Sequence, residues 1–410
     1  MDKIFYSDIR SGKSLTYRQL IEDIQNKTTY SPYCKSSDFY VVFQNIIQSL
    51  FLEKEIVLLD SDFTDAEVKN LVGEVDITKS EPVALEKQIT EDDFLELLNC
   101  KTGTWLITLF TSGTTGLPKK VSHTFASIAR QVKKSDRHID DVWGFAYNPT
   151  HIAGLQVLFQ ALVNRNSLIR LFGLDSSEIV NEINSKGITH ISATPTFYRL
   201  LLPPIGTCPT VKRLTSGGEI FDEHTLQQLA SLFPNAKLTN VYASSEAGTL
   251  LASKGNEFVI KEDIKDKVCI KENELLIHRS LLGQSTSFNI DGEWYHTGDL
   301  IEVSCQDPFT FHFISRKNEM INVGGYKVNP TEVEKYLREC LGVLDASVYA
   351  KVNRIMGSVI LCDVVRENDR VTEKFIREQL QAKLQEFKIP RVIKFVEQLN
   401  VTRTGKILRK

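Results

Sequence analysis

Trp105-Leu106-Ile107-Thr108-Leu109-Phe110 runs straight into Thr111-Ser112-Gly113-Thr114-Thr115-Gly116-Leu117-Pro118-Lys119-Lys120. The first part is a compact apolar run with β-branched residues, which predicts a buried strand. The second part supplies two glycines, four hydroxyls and two lysines. Hydroxyls and free backbone N–H groups cradle phosphate oxygens, and glycine lets the backbone come close. It is not a Walker loop, because Pro118 stands where the second glycine should be. Taken alone, the stretch is also compatible with a polar surface turn.

Outward from this loop, strand and helix patterns alternate. Strands are expected at Trp143 to Tyr147, Ser167 to Leu171, Ile188 to Ser192, Val211 to Leu214 and Lys237 to Tyr242. Helical spacing runs from Ile152 to Leu162, from Glu178 to Ile183 and through Leu226, Leu229 and Leu232. This rhythm predicts an α/β fold with a mostly parallel sheet and helices on its faces. Ligands in such sheets sit at the carboxyl ends of the strands, so the loops there are the place to look for chemistry. A second regime starts near Asn318. Pro330 to Leu341 reads as a helix, Ala346 to Ala350 and Val359 to Val365 as strands, Glu373 to Glu386 as a helix and Val392 to Val396 as a strand. We therefore expect a large unit over 1–317 and a small α+β unit over 318–410, joined at Arg316 to Asn318 by very few residues.

Bulk properties narrow the function. The chain has 410 residues, 42 % apolar and 25 % charged, with a net charge of −3. That is globular composition, and it gives no electrostatic support to nucleic-acid binding. Seven cysteines, odd in number and without a C-x-x-C pair, suit a reduced cytoplasmic setting. The early acid at Asp2 does not suit a signal peptide, and runs such as Ile56 to Leu59 are too short to span a bilayer.

The 110–120 stretch resembles the phosphate loop of the adenylate-forming superfamily: acyl- and aryl-CoA synthetases, luciferases and peptide-synthetase adenylation domains. The resemblance continues in order. Thr215-Ser216-Gly217-Gly218-Glu219 is similar to the Gly-rich turn beside the adenine and acyl pocket. Asn240-Val241-Tyr242-Ala243-Ser244-Ser245-Glu246 resembles N-x-Y-G-x-T-E, and Tyr295 to Asp299 resembles Y-x-T-G-D. Ser315 to Glu334 follows the hinge motif, and Thr402-Arg403-Thr404-Gly405-Lys406-Ile407 resembles the terminal T-x-x-G-K-I. Together these span roughly residues 105 to 410.

The resemblance implies that ATP turns a carboxylic acid into an acyl-AMP and that the acyl group then passes to a thiol, of CoA or of a carrier-protein phosphopantetheine. It assigns nucleotide binding to Thr111, Ser112, Gly113, Thr114, Thr115, Gly116, Lys119, Gly217, Gly218, Glu219, Asn240, Tyr242, Ala243, Ser245, Asp299 and Arg316. Within that set, Tyr242 would stack on adenine and Asp299 would accept from the ribose hydroxyls. Glu246 would anchor Mg²⁺, which prefers carboxylate oxygen. Lys406 would be the cation on the attacking carboxylate and the α-phosphate, where negative charge crowds. Asn148 to Leu155 resembles P-x-x-H-x-x-G-L, which would set His151 between acid and nucleotide. Gly324, Gly325 and Tyr326 resemble the thiol tunnel, with Asn318 as the hinge.

The sequence also departs from the pattern. Ala243 replaces the usual glycine, Ser245 the usual threonine and Asn318 the usual Asp or Lys. Only about a hundred residues precede the phosphate loop, so a trimmed first region is expected, with Ser37 to Leu59 as a remnant of its sheet. The amino-acid-activating branch pairs the substrate ammonium with an Asp near His151. No acid occurs between Asp141 and Asp175, so an aliphatic or aryl acid without that ammonium is expected. Two other readings stay open: an impaired acyl-adenylate-binding or scaffold protein, and a luciferase-like oxygenase.

Overall fold

The structure is a computed structural model. It describes residues 3–85, 88–96, 104–111, 118–219, 223–253, 255–306, 308–323, 326–353, 357–402 and 406–409. The apolar run of the opening stretch is strand Leu106–Thr111. Trp105 just before it is fully buried, edge-on to Phe125 and Phe159 at ring separations of 6.2 and 6.0 Å. Its indole N–H donates to Ser49 Oγ at 3.0 Å, so the ring buries its full area without orphaning its polar atom. Leu106–Thr111 lies in a four-stranded sheet, ordered Tyr33–Lys35, Ile56–Leu59, Leu106–Thr111, Lys119–Thr124. The last pair is antiparallel and sets Thr111 opposite Lys119.

An eight-stranded sheet forms the centre. Its order is Gly248–Ser253, Lys237–Ser244, Arg213–Gly217, His190–Ala193, Val142–Phe145, Ser167–Arg170, Ile4–Asp8, Lys13–Thr16. The inner pairings are parallel and the outermost pair at each end is antiparallel. The strands expected from the sequence fall here, and parallel pairing needs the crossover helices between them. Helix Ile152–Val163 is apolar almost all round, and its buried residues join one core with Phe5, Phe43, Ile107 and Leu109. A helix of that composition belongs between layers, not on a surface.

A third sheet is antiparallel, and its strands are not evident in the sequence. Its order is Phe258–Val259, Phe309–Arg316, Trp294–Gln306, Glu274–His278, Val268–Lys271. Its long strand alternates buried with exposed residues and is broken by bulges near Leu300 and Val303, which blurs the period of two. The register places Asp299 directly across from Arg316.

Residues 321–395 pack a core of their own around Val333, Leu337, Val348, Ile360, Ile376 and Leu380. Hairpin Val343–Asn353 and Gly357–Arg366 carries Val392–Phe395 in parallel on one side, and helices Pro330–Arg338 and Glu373–Gln381 complete this part. Asn329 caps the first helix by accepting from the Thr331 N–H at 3.0 Å, and Pro330 occupies its first turn. Among the described residues no helix is long and apolar enough to cross a membrane.

Trp105→Ala is expected to cost about 3–5 kcal/mol, the range for deleting a large buried aromatic. Urea unfolding of the two proteins checks this; a loss below about 1 kcal/mol would show that Trp105 does not anchor the strand.

Candidate active site

Two adjoining cavities lie where the central sheet, the antiparallel sheet and the C-terminal residues meet. The larger, about 340 Å³, is lined among others by Gly218, Asn240, Ala243, Ser315, Lys406 and Arg409. The smaller, about 260 Å³, is lined among others by Lys119, Ser244, Glu246, Tyr295, Lys317 and Asn318. Tyr242, Asp299 and Arg316 line both and so stand between them.

These three are wired together. The Tyr242 hydroxyl donates to Asp299 Oδ2 at 2.7 Å, and Arg316 Nε donates to Asp299 Oδ1 at 2.9 Å. One face of the Tyr242 ring stacks on Phe313, with centroids 4.5 Å apart and planes 18° apart. Each carboxylate oxygen has two lone pairs, so Asp299 can accept from two further hydroxyls while fixed this way. Burial and the neighbouring Asp299 carboxylate push the Tyr242 phenol far above its ordinary pKa, which keeps it a donor. The Asp299 charge in turn raises Arg316.

Glu246 sits in the tight turn between strands Lys237–Ser244 and Gly248–Ser253. Three successive carbonyls of that turn are held from outside. His123 Nε2 donates to Ser245 O at 2.8 Å, the Gly283 N–H to Glu246 O at 2.7 Å, and an Arg130 guanidinium N–H to Ala247 O at 3.3 Å. The Nε2 donation fixes the His123 tautomer, so its Nδ1 accepts from Ser127 Oγ at 2.9 Å. Burial pushes His123 below its usual pKa and keeps it neutral. With the backbone pinned, the Glu246 carboxylate faces the smaller cavity and takes the Tyr295 hydroxyl as a partner, and Lys119 lines that same space. A carboxylate, a lysine and a phenol around polar space suit a divalent cation and phosphate oxygens.

Glu274, 6 % exposed, holds the next turn. It accepts from the Gly298 N–H at 2.9 Å and faces His296 Nδ1 at 3.3 Å and Lys317 at 3.7 Å. Burial alone would raise its carboxyl; these donors and cations more than offset that and leave it below its usual value. Lys317 begins the short turn Lys317–Glu319 that contains Asn318.

Lys406 enters the larger cavity from a short antiparallel pairing in which Val401 lies across from Ile407. Leu408 N–H donates to Asn400 O at 2.8 Å and Thr402 N–H to Lys406 O at 2.6 Å. Gly218, at φ +84°, makes room for it: a Cβ there would lie 2.9 Å from Lys406 Cε. The positive φ favours glycine here, and a side chain would push the flexible Lys406 end aside. Desolvation lowers the Lys406 pKa first and the Arg316 charge adds to this, against Glu219 and Asp299. Arg409 ties this pairing down. It donates to both Glu334 oxygens at 2.9 and 2.8 Å, to Thr331 Oγ1 at 3.2 Å, and to Glu319. Glu334 is 3 % exposed and also accepts the Val348 N–H at 2.9 Å.

Other residues singled out in the sequence are placed as follows. Asn240 lines the larger cavity while its amide donates to Gly255 O at 2.8 Å. The Glu219 carboxylate accepts from Thr196 Oγ1 at 2.9 Å and Arg199 at 3.2 Å, and Arg199 also reaches Asp345 of the C-terminal hairpin at 3.2 Å. Gly217 packs against Val241, where a Cβ would meet Cγ2 at 2.6 Å. His151 lines neither cavity. It precedes helix Ile152–Val163, with Nε2 3.4 Å from Asp60, whose other oxygen accepts from Thr150. Tyr326 is exposed, stacked on Phe387 at 4.5 Å. Thr111 ends its strand at the loop. Ser112, Gly113, Thr114, Thr115, Gly116, Gly324 and Gly325 lie outside the described residues. Sequence reasoning missed His123, Arg130, Glu274 and Arg409; His123 and Arg130, soon after Lys119, and Arg409, two residues past the Thr402–Ile407 motif, lie near recognised motifs.

Residues 42–268 match the family model described as AMP-binding enzyme, and residues 332–406 match the AMP-binding enzyme C-terminal domain. The long-chain-fatty-acid–CoA ligase FadD13 of Mycobacterium tuberculosis is 26 % identical over 336 residues, covering 74 % of this chain and 66 % of its own length. The chain thus spans just under two thirds of that relative. D-alanine–D-alanyl carrier protein ligase of Staphylococcus aureus is 28 % identical over 406 residues, 85 % of this chain and 77 % of its own. The solved structure of o-succinylbenzoate CoA synthetase (MenE) from Bacillus subtilis, in complex with the acyl-adenylate intermediate OSB-AMP, shares the fold. Its TM-score is 0.73 at 18 % identity, covering 100 % of this chain and 94 % of that one.

Arg409→Ala leaves Glu334 with a buried charge and frees the pairing that carries Lys406. Amide hydrogen exchange over the described part of 399–409 is expected to rise about tenfold or more, one decade per ~1.4 kcal/mol lost. The sheet at 268–316 should be unchanged; equal protection of 399–409 in both proteins would remove Arg409 as the anchor.

Proposed function

The chain belongs to the AMP-binding enzyme family, and from that membership we propose that it joins a carboxylic acid to a thiol through an acyl-AMP. The observation that carries the reading is Lys406 brought into the same cavity as the Tyr242–Asp299–Arg316 group. In this reading the nucleoside occupies the larger cavity against Tyr242 and Ala243, and Asp299 accepts from its ribose hydroxyls. The β- and γ-phosphates extend past Arg316 toward Lys119, under the loop that begins at Thr111.

The chemistry follows from charge. A carboxylate attacks the α-phosphorus as pyrophosphate leaves, and anions crowd together there. Lys406 is the preorganised cation for that crowding. Desolvation and the Arg316 charge lower its pKa more than Glu219 and Asp299 offset, and the incoming triphosphate and carboxylate add the missing negative charge. Mg²⁺, if held by Glu246, would supply charge neutralisation on the departing phosphates. The pinned carbonyls of Ser245, Glu246 and Ala247 keep the carboxylate aimed without rearrangement.

We propose a thiol acceptor that is CoA or a carrier-protein pantetheine, entering by Gly324, Gly325 and Tyr326 after the 318–410 unit turns about Asn318. The acid is read as lacking an α-ammonium. The carboxylate beside His151 is Asp60, 4 % exposed and already engaged by Thr150. Acid-dependent pyrophosphate release tests the reading, across aliphatic acids, aryl acids and D-alanine. Release with aliphatic or aryl acids is expected. Turnover of D-alanine alone would overturn the substrate class, and ATP binding without release for any acid would make the chain a binding protein.

Lys406→Ala is expected to lower acid-dependent pyrophosphate release by about 10²–10³-fold, the cost of one charge-stabilising donor. Thioester formation from supplied acyl-AMP should stay within a few-fold; equal loss of both steps would refute the assignment to the first. Glu246→Gln is expected to raise the Mg²⁺ concentration needed for half-maximal release, and an unchanged Mg²⁺ dependence would place the metal elsewhere.

A further inference from the structure

The N-terminal edge of the central sheet, opposite the candidate active site, carries a side-chain cluster that the adenylation chemistry does not use. Asp141 immediately precedes strand Val142–Phe145, and His190 is the first residue of the neighbouring parallel strand His190–Ala193. His138 ends the short turn Asp136–His138. Asp141 and His190 are 7 % and 5 % exposed, and the His138 side chain is half-buried. Asp141 Oδ2 lies 2.8 Å from His138 Nδ1 and 3.5 Å from His190 Nε2.

The His190 tautomer makes this cluster unusual. Its Nδ1 lies 2.8 Å from Thr189 Oγ1. That hydroxyl accepts the Val142 N–H at 2.9 Å, and its single proton has two acceptors, His190 Nδ1 and Val142 O at 3.2 Å. With the proton on the Val142 O side, His190 donates from Nδ1 and its lone pair is on Nε2. Nε2 is buried and has no hydrogen-bond partner among the described residues, yet it faces the Asp141 carboxylate. In that tautomer a lone pair faces a carboxylate in a buried site, and a cation between them would satisfy both. The Trp143 ring, 4.9 Å away, fixes the imidazole in place.

We propose that His138, Asp141 and His190 form a binding site for a divalent cation of the zinc class. Two imidazoles and one carboxylate are a zinc donor set, whereas Mg²⁺ prefers oxygen alone. The three ligand atoms all lie within 4.8 Å of one another. Zn–N and Zn–O bonds of about 2.0–2.2 Å place tetrahedral ligands roughly 3.3 Å apart. The Asp141–His190 edge is close to that length at 3.5 Å, and His138, whose Nδ1 lies 2.8 Å from the same Asp141 oxygen, supplies the third ligand atom. Thr189 is the outer-shell acceptor that such a histidine ligand takes on its other nitrogen. Lys212 and Arg213 act against a cation, but both are exposed and screened; Lys3 is satisfied by Ile139 O and set against Asp140. A bound ion would staple the turn at 136–141 to the sheet edge.

The test is calorimetric titration of the chelator-stripped full chain with Zn²⁺, with Mg²⁺ present and no nucleotide or acid, beside His190→Ala and His138→Gln. One equivalent should bind the wild type. Each variant should bind at least the roughly 10–100-fold more weakly that even loss of an outer-shell partner costs. Zn²⁺ should raise the Tm of the wild type alone, and Co²⁺ should give a d–d band that both variants lose. If His190→Ala fails to fold, the half-buried His138→Gln decides. No Zn²⁺ uptake by the wild type, or equal affinity in wild type and variants, would overturn the proposal; neither result depends on acid activation.

Discussion

The arrangement depends on holding one lysine charge inside the protein. An ammonium taken out of water is costly unless anions or dipoles replace the water. Glu219 and Asp299 meet this condition only in part for Lys406, and against them stand desolvation and Arg316. The pairing that carries Lys406 is in turn bound through Arg409 to Glu334, Thr331 and Glu319. The missing side chain at Gly218 leaves the path open. An amine so placed is poised for anions brought in by substrate, which is what phosphoryl chemistry demands of a fixed cation.

Much of the fold was legible because buried parallel strands are continuous apolar runs and their crossover helices keep a period near 3.6. Tyr242, Asp299, Arg316 and Lys406 could be grouped from their motifs, and they line one cavity. The antiparallel sheet was not legible. Its strands are half-exposed and bulged, so no clean period survives in stretches such as Trp294–Gln306. The supports of the site were equally hidden. His123 and Arg130 act on backbone carbonyls of the Ser245–Ala247 turn, and a carbonyl leaves no mark on the sequence that receives a bond. Arg409 looks like an ordinary terminal cation until Glu334 and Glu319 are seen around it. Asp60 is the sharpest case. A search for acids near His151 in sequence finds none, while the sheet brings one to 3.4 Å.

The same hidden connections bear on motion. Arg199 reaches Asp345 in the C-terminal hairpin and Glu219 beside the cavity, and Arg338 approaches Asp345 from the other side at 3.5 Å. A pair of this kind ties the C-terminal hairpin to the residues beside the cavity. Its low exposure makes it a larger barrier to motion than a surface ion pair would be. The cluster of His138, Asp141 and His190 sits at the opposite edge of the sheet, and an ion there would stiffen the scaffold without touching this tie.

The central claim is that Lys406 lies half-buried and partly desolvated in the larger cavity, and its own reactivity reports this most directly. Competitive amine labelling read by mass spectrometry gives the modification rate of Lys406 against pH, with and without a non-hydrolysable ATP analogue. The account predicts a titration midpoint below the ordinary lysine value of 10.5 in the free protein. It also predicts that the analogue raises that midpoint and protects the amine. An ordinary midpoint, with a rate that the analogue leaves unchanged, would contradict it.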